Sequence, residues 1–198
     1  MPTEEIAAPG PKAYRPARRV VTGHDASGKS IVLSDGTPPN IRDRGTGVDF
    51  IEIWNTPAVP AILTAEEPEP TDGPLVTPPP VGGTKIRFND FHPGHIDKLP
   101  PRADGRHKMM HRTRSVDYGI VLEGEIWMIL DDSEVLLTPG TVVVQRGTDH
   151  AWENRSDAVS RMAFILISGE FSDELRATLP EQLEIRTGAV FNDAPAHN

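Results

Sequence analysis

The chain has 198 residues, no cysteine, and 29 acidic against 20 basic side chains, for a formal net charge of −9. The lack of thiols excludes disulfide scaffolds, zinc knuckles, iron–sulfur clusters and cysteine nucleophiles, so any metal must be held by His, Asp or Glu. The acidic balance without a dense Lys/Arg stripe argues against nucleic acid as a partner, and no run of about eighteen apolar residues offers a membrane span, so the expectation is a soluble, cytoplasmic protein.

Residues 1–17 are rich in Pro, Ala and charge and read as a flexible arm. The next pieces, "RRVVT" and "KSIVLS", flank "GHDASGKS" (Gly23 to Ser30), which fits the phosphate-loop pattern G-x-x-x-x-G-K-[ST]. That pattern cradles phosphate only where the loop opens a helix. Here β-branched Ile31 and Val32 follow, Gly36 breaks the run, and Pro38 and Pro39 stop any helix. A hairpin with Lys29 on a solvated edge is expected instead, and no nucleotide. A third strand piece, "DFIEIWN", leads into "TPAVPAILTAEEPEPTDGPLVTPPPVGG", whose eight prolines predict an extended surface connection. Residues 18–83 are thus expected to be strands and a Pro-rich connection packed on the strand-rich part that begins at Thr84.

From Thr84 the texture changes to short apolar runs between turns: "TKIRFNDF", "DYGIVLEG", "EIWMILDD", "EVLLTPG", "TVVVQRG", "HAWENRS" and "SRMAFILISG". Short strands at near-regular spacing predict an all-β fold, a small antiparallel barrel or sandwich over 84–170. In Gly119 to Leu122 and Met162 to Ile167 both alternating faces are apolar, so both should be covered, by the N-terminal strands or by a second subunit. A homodimer is the expected assembly. In 171–198, "FSDELRATL" reads as a short helix with Ser172 as its N-cap, followed by a tail.

Two blocks in the strand-rich part resemble the signature of the cupin superfamily. The first offers Gly105, His111, Thr113, Asp117 and Gly124 in the frame G-x5-H-x-H-x3-4-E-x6-G, with Thr113 in place of the second His and Asp117 in place of Glu. The second, "GTVVVQRGTDHAWEN", supplies Gly140, Gly147, His150 and Asn154, with Gln145 where the family has proline and one residue fewer before it. The resemblance implies a jelly-roll-like antiparallel β-barrel with an N-terminal strand-containing extension. It also implies a small-molecule enzyme, similar to cupin oxidoreductases of secondary metabolism, with an aromatic or polyketide-like carbonyl or carboxylate substrate.

Residues two apart on a strand point to the same side, so 111 and 113 would both enter the barrel, with 117 next and His150 facing them. The family's divalent-metal site then maps onto His111, Asp117 and His150 as catalytic residues and metal ligands. Two His and one carboxylate suit iron, with Mn, Ni and Zn as alternatives. His107, four residues before His111, is a further candidate ligand, against the reading of an exposed His at the strand entrance. Met109, Thr113, Gln145, Arg146, Trp152 and Asn154 are candidate substrate-binding residues, Arg146 for a carboxylate. Met109 and Trp127 also suit plain core packing, and His92 and His95 read as loop residues. The competing reading is a metal-free module in which His111 and His150 hydrogen-bond a bound metabolite.

Overall fold

The computed structural model describes residues 16–43, 45–65, 67–180 and 194–195; residues 1–15 of the expected arm over 1–17 and most of the tail lie outside them. β1 (Arg19–His24) and β2 (Ser30–Gly36) pair only with each other. The turn between them is organised by the Asp25 carboxylate, which accepts from Ser27 N, Ser27 Oγ and Lys29 N at 2.8, 2.7 and 3.0 Å. The phosphate-loop look-alike is therefore a hairpin turn, with two of its main-chain donors already engaged by its own side chain.

Ten further strands make two sheets. β3 (Asn40–Asp43), β4 (Val48–Thr56), β5 (Thr84–Phe91), β6 (Ser115–Glu123), β9 (Val142–Arg146), β11 (Ser160–Ser168) and β12 (Ala194–Pro195) form one sheet in the order β12-β3-β4-β5-β11-β6-β9. β7 (Ile126–Ile129), β8 (Glu134–Leu137) and β10 (Ala151–Glu153) form the other, in the order β10-β7-β8. All pairings are antiparallel. The predicted helix is α1 (Asp173–Thr178), where the Ser172 hydroxyl accepts from Leu175 N at 3.2 Å. β3 was not foreseen, because "NIRD" follows two prolines and has no apolar alternation.

The sheets face each other across one core, in which Val48, Phe91, Val121, Met162, Phe164 and Leu166 of the large sheet meet Ile126, Met128, Leu137 and Trp152 of the small one. Directly opposed residues of an antiparallel pair share a face. The registers therefore set Lys85, Leu166, Asp117 and Gln145 in one inward row and Glu52, Arg87, Phe164 and Gly119 in the next. A third row carries Phe50, Asn89, Met162 and Val121, and Val48 and Phe91 lie beyond it. The interior is thus polar at one end and apolar at the other.

Two glycines of the sequence blocks are fixed by space and conformation. Gly124, with φ 69°, turns β6 into β7, and a Cβ there would lie 2.6 Å from the Val159 carbonyl oxygen. Gly147, with φ 63°, turns β9 toward β10, and a Cβ would lie 2.6 Å from the Phe171 ring. Any other residue would force these turns apart.

Candidate functional site

His111 and His150 face each other across an isolated antiparallel bridge in which each N–H donates to the other's carbonyl at 2.9 Å. Such a pair sends both side chains to one face, and the ring centroids lie 4.2 Å apart. The His111 Nδ1 is 2.8 Å from the Met109 carbonyl and the His150 Nδ1 is 3.0 Å from the Thr148 carbonyl. Because a carbonyl only accepts, each Nδ1 carries the proton and each Nε2 keeps a lone pair. Burial pushes both imidazoles below their ordinary 6.5, and His150 goes well below because His111 stands beside it. Both are neutral at pH 7.

Asp117 enters the same interior from β6. Its Oδ2 accepts from Gln145 Nε2 at 3.0 Å and from Thr113 Oγ1 at 3.3 Å. Its Oδ1 is buried without a hydrogen-bond partner among the described residues, as are Gln145 Oε1 and Asn89 Oδ1. Burial raises the Asp117 pKa, which moves the carboxyl toward its neutral acid. Protonated at Oδ1, it becomes a donor aimed into the barrel.

The expected three-ligand face is not assembled. Among the described residues no three His, Asp or Glu side chains converge closely enough to hold a metal. The reason is the register: Asp117 sits opposite Gln145 on β9 and turns to it and to Thr113, while the histidines pair with each other before β6 and β10 begin. His107 does not complete the set either. Its Nδ1 accepts from Met109 N at 3.2 Å, so its proton sits on Nε2, 3.7 Å from Glu153.

The other candidates divide. Thr113 and Gln145 are buried and engage Asp117. Trp152 is buried edge-on between His150 and Phe164, at 5.8 and 5.3 Å, and forms the wall beside the pair. Met109 packs partly buried against the core. Asn154 is held in a turn: its Nδ2 donates to the Phe91 and Ala158 carbonyls, and its Oδ1 accepts from Ser156 N and Oγ, so its amide is fully used within the protein. Arg146 is exposed on the outward parity of β9, one residue from Gln145, and does not reach the interior. His95, read as a loop residue, is wholly buried, with Nδ1 3.1 Å from the His92 carbonyl and Nε2 3.2 Å from that of Trp152.

Sequence reasoning missed a buried charge cluster. On β5 the alternation "TKIRFNDF" puts Ile86 and Phe88 on one face and Lys85, Arg87 and Asn89 on the other, and the polar face is the one turned inward. Arg87 NH1 lies 3.3 Å and Lys85 Nζ 3.5 Å from the Glu52 carboxylate of β4, all three side chains at most 5 % exposed. The Arg87 charge adds to the burial that lowers the His111 pKa and partly offsets the burial that raises that of Asp117. The signal was present as a charged parity opposite an apolar one. Arg112, between His111 and Thr113, was also missed; it forms a buried bidentate pair with Asp149 at 2.6 and 2.9 Å that holds the histidine bridge from outside.

The family model of the cupin domain matches residues 95–167. Phomopsin biosynthesis cluster protein C′ of Diaporthe leptostromiformis is 36% identical over 168 residues, covering 79% of this chain and 80% of its own length. Oryzines biosynthesis cluster protein J of Aspergillus oryzae is 34% identical over 152 residues, 73% of this chain and 78% of its own. A cupin-domain-containing oxidoreductase of Aspergillus ruber is 31% identical over 161 residues, 75% of this chain and 71% of its own.

Proposed function

Because the chain belongs to the cupin superfamily, we propose that it is a small-molecule oxidoreductase of secondary metabolism, acting on an aromatic or polyketide-like carbonyl or carboxylate compound inside the barrel. The observation that carries this reading is the neutral pair His111 and His150, each with Nδ1–H fixed on a carbonyl and Nε2 unclaimed by any described hydrogen bond. Such an Nε2 takes a proton from a substrate hydroxyl or activated C–H. Asp117, pushed toward its acid form, returns one to a developing oxyanion, and Gln145 and Thr113 hold its other oxygen. With dioxygen as the co-substrate oxidant, a two-electron oxidation takes two electrons and two protons from the substrate and releases hydrogen peroxide, the imidazole and the carboxyl relaying the protons.

The family implies a divalent metal. The tautomer of both imidazoles is the one a ligating histidine needs, but two imidazoles without a converging carboxylate are one donor short of a three-ligand site. That shortage is what favours the second reading, a binding module that holds a metabolite without turnover. The test is turnover of a panel of phenolic acids and aryl ketones with dioxygen consumption as readout, on protein purified without chelator, before and after EDTA. Turnover lost in His150→Gln supports the enzyme; saturable binding without turnover, untouched by EDTA or iron, supports the module.

The same reading includes a second copy of the chain. Tyr118, Leu122, Val142 and Val144 stand exposed on the outer face of β6 and β9, beside the edge of the large sheet. An apolar sheet face of this kind is best covered by its own symmetry mate. Light scattering at micromolar concentration is expected to give a dimer.

A further inference from the structure

The Pro-rich connection does not simply cross the surface. Its first part is pinned by Glu69 to Arg19 at 2.7 Å, by the Pro70 carbonyl to Asn55 at 2.9 Å, and by the Gly73 carbonyl to Arg42 at 2.6 Å. Its far end is tied by Gly83 N to the Pro80 carbonyl at 2.9 Å and by Gly82 N to Ser168 Oγ at 2.9 Å. Between these anchors the strap dips to the polar end of the barrel. There Lys85 Nζ donates to the Val76 carbonyl at 2.6 Å, and the Arg87 guanidinium donates to the Thr77 carbonyl. Beside that contact lies a cleft of about 280 Å³ whose lining includes Glu52, Asn55, Lys85, Leu75 and Pro78.

We infer that Lys85 and Arg87 form the carboxylate-binding end of the substrate site, and that in this structure the Val76 and Thr77 carbonyls stand in for the ligand's two oxygens. This deepens the oxidoreductase reading by naming the substrate class, a small hydroxy-carboxylate. Three observations carry it. Two cations on neighbouring inward positions of one strand, both almost fully buried, already share the Glu52 carboxylate at 3.5 and 3.3 Å, so the pair is spaced to grip a carboxylate, and the ligand's would join that cluster in place of the strap carbonyls. Main-chain carbonyls are neutral acceptors, and a carboxylate in their place makes charge-assisted bonds roughly twice as strong. The inward acceptors Asn89 Oδ1 and Gln145 Oε1 lack donors among the described residues, a need that a ligand hydroxyl meets. Lys85 and Asp117 share a row two strands apart, roughly 10 Å by strand spacing, which is the span of one ring with a polar group at each end. Leu166 and Phe164 supply the floor between them.

The strap is the part that gives way. The segment 74–79 forms no strand, and three of its residues are prolines, so its displacement breaks side-chain contacts to carbonyls rather than a β-ladder.

The test is calorimetric titration of the intact chain with 4-hydroxybenzoate and with 4-hydroxybenzamide, the neutral isostere, and hydrogen exchange at Leu75, Val76 and Thr77 with and without the acid. The acid is expected to bind at least tenfold tighter than the amide, Lys85→Met to remove that preference, and the three amides to exchange faster when the acid is bound. Equal binding of acid and amide, binding of neither, a preference that survives Lys85→Met, or unchanged exchange in the wild type each overturns the inference. If Lys85→Met does not fold, the wild-type preference and exchange decide. Since no turnover is read, failure here leaves the oxidoreductase reading standing, and turnover of ketones alone would separate the two.

Discussion

The two ends of the barrel interior are built on the same strands and do opposite work. At the apolar end Val48, Phe91, Val121, Ile126 and Met162 are essentially inaccessible and make only dispersion and hydrophobic contacts. At the polar end, a few residues along β4, β5 and β6, the same inward positions hold Glu52, Lys85, Arg87 and Asp117. Each of those buried charges costs desolvation that its partners offset only in part. A fold that keeps them where its own neighbouring rows are aliphatic gives up stability there, and substitutions at the two ends should separate stability from the proposed activity.

The largest effect is expected at the apolar end. Phe91→Ala removes a ring with 1% exposure that packs on Val48 across β4 and on His95 at 5.5 Å, and should cost about 3–5 kcal/mol in urea unfolding. The surviving folded fraction should keep its activity per molecule. Loss of activity without loss of stability would break the comparison.

Asp117→Asn is the converse at the polar end. The amide keeps the shape and can still meet Gln145, while the proton donor is gone, so turnover should fall about 10²-fold or more. The urea midpoint should stay level or rise, because a carboxyl whose pKa burial has raised favours the fold less once ionised. Midpoint and turnover falling together would merge the two ends into one.

Acid should act through the imidazoles. His111 and His150 have folded pKa values below their ordinary 6.5, so the unfolded chain takes up protons there first and stability falls as pH drops below about 6.5. His95 and His107, also lowered by burial, add to the slope. Asp117 has the opposite sign: its raised pKa favours the fold at low pH and is lost as pH rises through it. A His111→Gln, His150→Gln double variant should flatten the profile between pH 6.5 and 5; an unchanged slope would assign it to the other two. The smallest effect belongs outside both ends, in the exposed β1–β2 turn, where Lys29→Ala should leave the midpoint unchanged within error and ATP should cause no shift in it.

Much was legible in the sequence because it is local. Strand periodicity located the seven runs from Thr84 onward, the prolines after Thr56 forbade regular structure, and Ser172 marked its helix. The resemblance to a two-block frame implied that His111 and His150 meet, and the two stand paired in an isolated bridge, each at the entrance to a strand. What stayed hidden depends on which parity of a strand faces inward, and a single strand does not carry that information. "TKIRFNDF" presents Ile86 and Phe88 as a ready apolar face, yet the charged parity is inside, because Glu52 on β4 and the strap carbonyls meet Lys85 and Arg87 there. For the same reason, of the two neighbouring candidates Gln145 reaches Asp117 in the interior while Arg146 lies on the exposed face of β9.

Residue types and local pattern thus determined the strands and the turns, and the family resemblance pointed to the histidine pair. The three-dimensional register decided that Asp117 answers to Gln145 rather than to the histidines, and that a proline strap reaches back over forbidden-looking charges. Hydrogen-bond register and the burial of charge are settled only when strands distant in sequence are laid side by side, since each buried polar group is stable only with partners the local sequence does not contain.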